Sequence, residues 1–440
     1  MIREKLGSFL TYLCLFLLPW QAVWIYGYIP PLPGGEGLGL PATALATAGV
    51  RAMGEGEYWK LMIYAVQILI LIAVLVRGKI KTSDLLKNVL KNGWLFFGAV
   101  LISCFFSVSP YLSFGFSFHV LSALLLFWLL LDERIETRKI IWFFVLGLIV
   151  PCLLGWWQVL AGWSPAATIF GLSEHLVSVS GTAVVETVGG RLMRAYGSFP
   201  HPNIFGGFLA VGILMMLGRT GRRTINLIIL FLLSATLVVT FSRSAWLALI
   251  IGIVSFFIWS AIYKIKIPRN FLFGLTVASV AIVASVAIFH PAIFTRVTAT
   301  DRLETKSLTE RQTEYQMIGE VIKINPFVGV GAGAYTVASA EKFPNHEVWF
   351  YQPMHNSILL IFAELGIFGL LFLVRFLWAV FVRIKRRGEW PFAPTVTMMT
   401  TMIILSVFDH YLWNGWAGLG PVAVVLAVGL KNLINKDVFP

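Results

Sequence analysis

Residues Ser244–Tyr263 read SAWLALIIGIVSFFIWSAIY, a run of 20 without a single charge. At about 1.5 Å per residue, a helix of that length covers roughly 30 Å, the hydrocarbon thickness of a bilayer. Arg243 precedes the run, and Lys264, Lys266 and Arg269 follow it. Runs of this kind recur at 6–28, 58–76, 93–108, 114–131, 140–160, 203–217, 225–241, 271–290, 357–381, 395–411 and 416–430. The pattern predicts an all-α polytopic membrane protein with about 12 transmembrane helices, forming one membrane domain over residues 1–440. Composition agrees: 58% of residues are hydrophobic and 12% charged, where soluble domains carry roughly 25% charge. The run that opens at Leu6 lacks a small-residue cleavage site and reads as a retained first helix.

The net charge of +13 does not point to nucleic acid, because the basic residues fall in short clusters between apolar runs. Such clusters mark cytoplasmic connections. One set holds Arg77, Lys79, Lys81, Lys87 and Lys91, then Arg134, Arg138 and Lys139. Arg219, Arg222 and Arg223, then Lys264, Lys266 and Arg269, then Arg383, Lys385, Arg386 and Arg387 continue it. The alternation predicts both termini inside. Cys14, Cys104 and Cys152 lie in separate apolar runs, with no CxxC or metal-ligand spacing, so thiol chemistry has no support.

Three outer segments are long: 29–57, with PPLPGGEGLGLP; 161–202; and 291–356, a large and partly helical loop between the ninth and tenth helices. Long loops carry function more often than fold. Within the last, Ser307–Asn325 has a helical pattern that Ser307 or Thr309 opens and Pro326 stops. Tyr315, Ile318 and Ile322 share one face, and Arg311 falls on it. A rim arginine paired with an acid is one reading of Arg311; a ligand contact is the other. GVGAGAY (Gly329–Tyr335) follows no βαβ unit, so it predicts a turn or a close backbone approach, not a dinucleotide site. His355 and Asn356 stand at the mouth of the tenth helix, where Asn356 or Ser357 can cap. An imidazole there suits a general base, and equally an interfacial histidine without chemistry.

Glu364 lies nine residues further along that helix, on the opposite face, which suits a hydrogen bond between helices. Arg243, at a helix start between Ser242 and Ser244, suits a phosphate or an interfacial anchor. Arg191 and Arg194 precede the sixth helix, where Asn203 is the expected cap and His201 a turn residue. Asp409 and His410, at the outer end of the eleventh helix, read as loop-orienting groups or as partners of an arginine. Under the inferred topology these groups share one side of the membrane. Arginines bind diphosphates bidentately, and a histidine can take a hydroxyl proton. The outer loops carry no DxD or His-rich cluster of the kind that would hold a divalent metal, so neither metal nor cofactor is expected.

Four stretches together resemble the O-antigen ligase and O-antigen polymerase superfamily of bacterial membrane glycosyltransferases. They are RAYGSFPHPNIFGGFLA (Arg194–Ala210), FSRSA (Phe241–Ala245), TERQTEY…INPFVGVGAGAY (Thr309–Tyr335) and HNSILLIFAELGIFG (His355–Gly369), a motif-bearing core over 190–375. The resemblance implies a GT-C-like fold in the bacterial cytoplasmic membrane, with the active site on its outer face. It implies a glycan donor carried on undecaprenyl diphosphate and a glycan or lipid acceptor offering a hydroxyl, with membrane lipid as the surroundings and no nucleic acid. By resemblance, His355 is the catalytic base or orienter, and Arg243 and Arg311 neutralise the diphosphate. Arg194 stands near the site, Asn356 supports His355, and Arg191, His201 and Asn203 join the substrate-binding set. The ligase passes its glycan to a lipid core and the polymerase to another lipid-linked repeat, so the acceptor stays open. A secondary transporter or flippase also suits 12 helices, but transporters place polar groups at the midplane and usually show internal repeats.

Overall fold

The computed structural model describes residues 2–28, 60–187, 189–218, 224–298, 302–346, 350–385 and 392–431. The expected 29–57 loop, Arg219, Arg222, Arg223, Arg386 and Arg387 lie outside the described residues. The chain opens with α1 (Ile2–Leu17), β1 (Val23–Tyr28), β2 (Lys60–Tyr64) and α2 (Ala65–Arg77). Next come α3 (Asp84–Phe105), α4 (Pro110–Leu130) and α5 (Thr137–Ala161). A short β-rich stretch follows: β3 (Trp163–Ser164), β4 (His175–Leu176), β5 (Val184–Thr187) and β6 (Gly190–Met193). Four helices then run in sequence: α6 (Pro202–Leu217), α7 (Thr224–Val239), α8 (Arg243–Ile262) and α9 (Arg269–Ile288). The segment before the last bundle holds α10 (His290–Thr298), α11 (Arg302–Ile324) and α12 (Tyr335–Lys342). Closing the described chain are α13 (Ser357–Lys385), α14 (Phe392–Phe408), α15 (Tyr411–Asn414) and α16 (Trp416–Lys431).

Among the described residues, six helices, α3, α4, α5, α8, α9 and α13, are long and apolar enough to cross a membrane. Five more apolar helices are shorter: α2, α6, α7, α14 from Pro394, and α16. Burial separates centre from rim. Nearly every residue of α6 and α16 is buried, so these sit in the middle of the bundle. In α9 only Phe271, Gly274, Ala278, Ala281 and Ser285 are buried, at spacings of three and four. That single apolar-packed stripe, with Val280, Val283 and Ile288 exposed, is how a helix meets lipid on its other faces.

The helical expectation needs correction at the first two spans. Residues 23–28 and 60–64 do not extend helices but pair as an antiparallel hairpin, Val23 opposite Tyr64 and Tyr28 opposite Lys60. VWIYGY is rich in aromatic and β-branched residues, whose bulk suits a pleated strand. Two further two-stranded pairs, β3–β4 and β5–β6, lie within the 161–202 segment.

The tenth span is also not one continuous helix. Gly366 breaks α13 with φ 62° and ψ −171°, a conformation open only to glycine. The break strands backbone groups, and 326–331 satisfies them. Ile367 and Phe368 donate to the carbonyls of Pro326 and Phe327, while Val330 and Gly331 donate to those of Ala363 and Glu364. The approach is so close that a Cβ on Gly329 would fall 2.2 Å from the Glu364 carbonyl carbon. The glycine-rich stretch therefore makes its close backbone approach to a helix. Glu364, 1% exposed, completes the joint by accepting from the backbone N–H of Gly333 (2.7 Å) and Tyr335 (3.3 Å) and from Trp413 Nε1 (2.6 Å).

At the far end, Arg77 and Asp132 form a fully buried ion pair at 2.9 Å, to which Arg134 and Glu4 add. Lys431 donates to the Asp132 carbonyl. These bonds draw α1, α2, the α4–α5 connection and the end of α16 together, and the basic connections 77–81 and 132–139 meet there.

Candidate functional site

Around the opposite ends of α6, α8 and α13, charged side chains from five stretches converge. The turn TFSRSA shapes the first. Phe241 takes φ 49°, rare for a bulky residue, and Ser242 then caps α8 by accepting from the Ala245 N–H. This sharp reversal sets Arg243 at the helix start. Arg243 donates to the Arg296 carbonyl (3.3 Å), and Arg296 Nε donates to the Phe241 carbonyl (3.1 Å). Arg311 extends from α11 into the same field, its Nε buried without a hydrogen-bond partner among the described residues. Burial and the like charges of Arg194, Arg243 and Arg311 push the Arg296 pKa down to about 8. Packing cations together is unfavourable on its own, and a bound anion relieves it.

His355 stands beside this cluster. Its Nδ1 lies 2.9 and 3.0 Å from the two Glu314 oxygens, and its backbone N–H donates to Glu314 Oε2 at 3.0 Å. Burial and Arg311 press its pKa down, but the hydrogen bond and charge of Glu314, with Asp409, outweigh them and hold it above the ordinary value. Asn356 caps α13 as expected, its Oδ1 accepting from Ile358 and Leu359.

A second chain of bonds runs behind His355. Arg194, buried, donates to the Thr240 carbonyl (2.8 Å) and to Asn203 Oδ1 (2.6 Å). Asn203 Nδ2 in turn donates to Asp409 Oδ2 (2.9 Å), and the His410 N–H donates to Asp409 Oδ1 (2.9 Å). The Asp409 carbonyl accepts from both the backbone N–H and Oγ of Ser357 at the head of α13. The rings of His355 and His410 meet edge to face, 5.2 Å between centroids. Burial lowers the His410 pKa to about 4, so this ring is neutral near neutrality. Ligand atoms of His355, Asp409 and His410 all lie within 4.8 Å of one another.

The structure thus brings His355, Arg243, Arg311, Arg194, His201 and Asn203 into one neighbourhood. Two expected roles shift. His201, not Asn203, caps α6, its Nδ1 accepting from the Asn203 N–H at 3.1 Å. Arg194 is spent on positioning Asn203 and the α7 end. Arg191 stands apart, 3.6 Å from Glu186 across the β5–β6 hairpin. Tyr315 also leaves its expected face: it is 52% exposed, while Met317, Ile318 and Val321 are buried. Rotating the α11 stripe by that much puts Glu314 inward. Glu314 and Arg296 escaped the sequence reading altogether. The i, i+3 spacing of Arg311 and Glu314 was a signal for the first; a lone arginine among apolar residues in HPAIFTRVT offered none for the second.

Below His355 opens a cavity of about 210 Å³, lined among others by Lys60, Phe116, His119, His201, His410 and Asn414. An apolar groove of about 220 Å³ lies beside the arginines, walled by Trp246 and Ile250 of α8, Ile282 and Val286 of α9, and Ile293 and Val297 of α10.

The model of the O-antigen ligase family matches residues 228–374, about a third of the chain. The matched stretch holds Arg243, Arg296, Arg311, Glu314 and His355 and supports the O-antigen ligase superfamily. No curated protein matches the chain.

Proposed function

We propose, with the O-antigen ligase superfamily as the premise, that this protein transfers an oligo- or polysaccharide from undecaprenyl diphosphate to a hydroxyl acceptor at the outer face of the cytoplasmic membrane. The single observation that carries the reading is the Glu314–His355 pair set against Arg243, Arg296 and Arg311. In this reading the acceptor oxygen attacks the anomeric carbon and its proton passes to His355 Nε2. The bond from the anomeric carbon to the diphosphate oxygen breaks, and the electron pair leaves with the diphosphate. That group gains one negative charge, which the three guanidinium groups stabilise. Glu314 holds the imidazole with Nδ1 protonated, so that Nε2 is the base. Asn203, Asp409 and Arg194 are positioning residues that hold the mouths of α6 and α13 in register.

The apolar groove beside Arg243 suits the prenyl chain, since it runs along α8 and α9 toward the arginines. The 12-span arrangement follows if α1 and the five shorter apolar helices cross alongside the six long ones, in a GT-C-like bundle. The buried Arg77–Asp132 network, with its basic connections, supports a cytoplasmic placement of that end of the bundle. Asp409 already accepts from Asn203 and from the His410 N–H, so in this reading its carboxylate serves the positioning network behind His355. The chemistry is the same for a ligase and a polymerase, which differ in the acceptor.

His355→Ala, reconstituted with a lipid-diphosphate-linked glycan, is the test. Transfer should fall by roughly 100- to 10,000-fold, the usual contribution of a general base, with donor affinity retained. A folded variant that transfers at the wild-type rate would remove the catalytic role.

A further inference from the structure

The cavity meets the arginine cluster at His355, and no arginine among the described residues lines it. Two histidines of its wall have their tautomers fixed by backbone N–H groups. For His119 the fixing runs through Gln67. The Tyr64 backbone N–H donates to Gln67 Oε1 at 2.9 Å, and a backbone N–H can only donate, so the oxygen end of that amide is assigned. The nitrogen end then lies 2.9 Å from His119 Nδ1, against 3.2 Å for the oxygen, and Nδ1 accepts from it. An imidazole that accepts at Nδ1 carries its hydrogen on Nε2. The His119 ring is 6% exposed and is held edge-on by Tyr64 and Phe116, 5.7 and 6.0 Å between centroids. Its Nε2–H has no hydrogen-bond partner among the described residues, and the residue lines the cavity. His201 repeats the arrangement at the head of α6, where Nδ1 accepts from the Asn203 N–H and leaves the hydrogen on Nε2. Phe116 leans on Trp413, 5.0 Å between ring centroids, and offers an aromatic floor.

A displacement at the anomeric carbon needs the nucleophile and the leaving group on opposite sides of that carbon. With the diphosphate among the arginines, the hydroxyl reaches His355 from the other space that His355 lines, the cavity. At about 210 Å³ it is smaller than the roughly 300–1,000 Å³ of a drug-sized pocket, which leaves room for one ring and not for an oligosaccharide. The ring that offers its hydroxyl to His355 is therefore the ring that meets His119. We propose that the cavity seats the terminal sugar of the acceptor, and that His119 is a specificity-determining residue that donates its Nε2–H to a second hydroxyl oxygen of that sugar. The inference rests on the transferase reading and names the acceptor's chemical class, a sugar with a free hydroxyl besides the one that attacks. Gln67 sets which ring nitrogen faces the sugar, Tyr64 and Phe116 set the ring's angle, and Phe116 supplies apolar surface. A donor held in place before binding favours the sugar that brings the oxygen over the analogue that lacks it, because the analogue leaves a buried N–H unpaired.

Two variants probe the cavity. His119→Phe keeps a ring of similar size and removes the donor. Gly415 lines the cavity, its backbone is extended (φ −176°), and an added Cβ would meet nothing within 4 Å, so Gly415→Phe should fill the space. With the full chain in nanodiscs, saturation-transfer NMR would compare methyl glucoside, methyl galactoside and methyl mannoside, each with its singly deoxygenated analogues, beside the affinity for undecaprenyl diphosphate. We expect the wild type to bind at least one parent sugar and to lose roughly 5- to 150-fold in affinity when one particular hydroxyl is removed. His119→Phe should erase that difference and Gly415→Phe should abolish sugar binding, both leaving undecaprenyl diphosphate affinity within about twofold. Since His119→Phe also leaves the Gln67 amide without its acceptor, nitrogen NMR of the wild-type histidines supplies a readout that needs no variant. His119 should carry its hydrogen on Nε2, and that signal should shift with the preferred sugar and not with the matching deoxy analogue. A hydrogen on Nδ1, no binding by any parent, no loss on removing any hydroxyl, a loss that persists in His119→Phe, or sugar binding that survives Gly415→Phe overturns the proposal. A wild type that fails to bind undecaprenyl diphosphate sinks the transferase reading, an outcome read independently of the sugar arms.

Discussion

Replacing Glu314 with Gln isolates the most informative contact in the site. The carboxylate meets His355 three times, twice at Nδ1 (2.9 and 3.0 Å) and once at the backbone N–H (3.0 Å). Gln keeps the shape and removes the charge. A hydrogen bond to a charged group contributes about 1.5–3 kcal/mol, so losing that assistance should lower the transfer rate roughly 10- to 150-fold. The amide can also present its NH₂ to Nδ1, which would favour the wrong tautomer and deepen the loss. The pH dependence carries the sign. A base works as neutral imidazole, so kcat/KM should rise with pH through a limb above the ordinary histidine value of 6.5. Without the carboxylate, burial and Arg311 remain, and both push the imidazolium pKa down. The limb should then move to lower pH while the plateau falls: more of the base is available at neutrality, and it is weaker and worse aimed. The assay is kcat/KM for glycan transfer against pH in proteoliposomes. A wild-type profile that falls with pH through this region would refute the base assignment, since His355 would then act as the imidazolium. An unmoved limb in the variant would refute the Glu314 assignment.

Four further substitutions test other parts of the structure. Arg243→Ala and Arg311→Ala should each weaken undecaprenyl diphosphate binding by roughly 10- to 150-fold, at about 1.5–3 kcal/mol per charge-assisted contact, with a shallower salt dependence measurable by titration. Gly366→Ala should destabilise the protein by at least about 2–3 kcal/mol, because only glycine tolerates this backbone and a Cβ would sit 2.3 Å from the Phe327 carbonyl carbon. Thermal unfolding in detergent reads that loss, and an unchanged Tm would contradict the break in α13. Asp132→Asn leaves Arg77 buried without its counter-charge and should cost about 3–5 kcal/mol, seen as a lower Tm without a change in donor affinity.

The helices were legible because each apolar run is long, uninterrupted and flanked by charge or turn residues. Helix ends were less so. VWIYGY sits directly after α1 and is as apolar as a helix, and its partner strand begins at Lys60, far along the chain. A short apolar run does not declare its period, and pairing across a long interval leaves no local mark. The site divides in the same way. Arg243 and His355 stood out because each stands at the start of an apolar helix on the inferred outer side, and Arg311 because it shares a face with apolar residues of its own helix. Glu314 was hidden by phase: anchoring the α11 face on Tyr315 turned the carboxylate outward, and only packing of Met317, Ile318 and Val321 fixes the true stripe. Asp409 reads as a loop residue until Asn203, 206 positions earlier, is seen to bond it.

Where the family match ends is itself an argument about specificity. Residues 228–374 contain Arg243, Arg296, Arg311, Glu314 and His355, the residues to which the proposed mechanism gives the leaving group, the base and its orientation. Of the cavity's lining, the same stretch contains only Gly333, Gln352 and His355; Lys60, His119, His201, Asp409 and Asn414 fall outside it. Donor chemistry is shared wherever a glycan leaves a lipid diphosphate, because the charge to be stabilised is the same. Acceptors differ, and a surface that selects among them has no reason to keep one sequence. The division predicts a split in kinetics. Substitutions inside the matched stretch at the arginines should change donor affinity and kcat for every acceptor. Substitutions at His119 or Asn414 should change KM for one acceptor against another while the donor term stays fixed. A His119 variant whose losses were equal for an acceptor and its deoxy analogue, and tracked donor affinity, would show that the two halves of the site are not separable in this way.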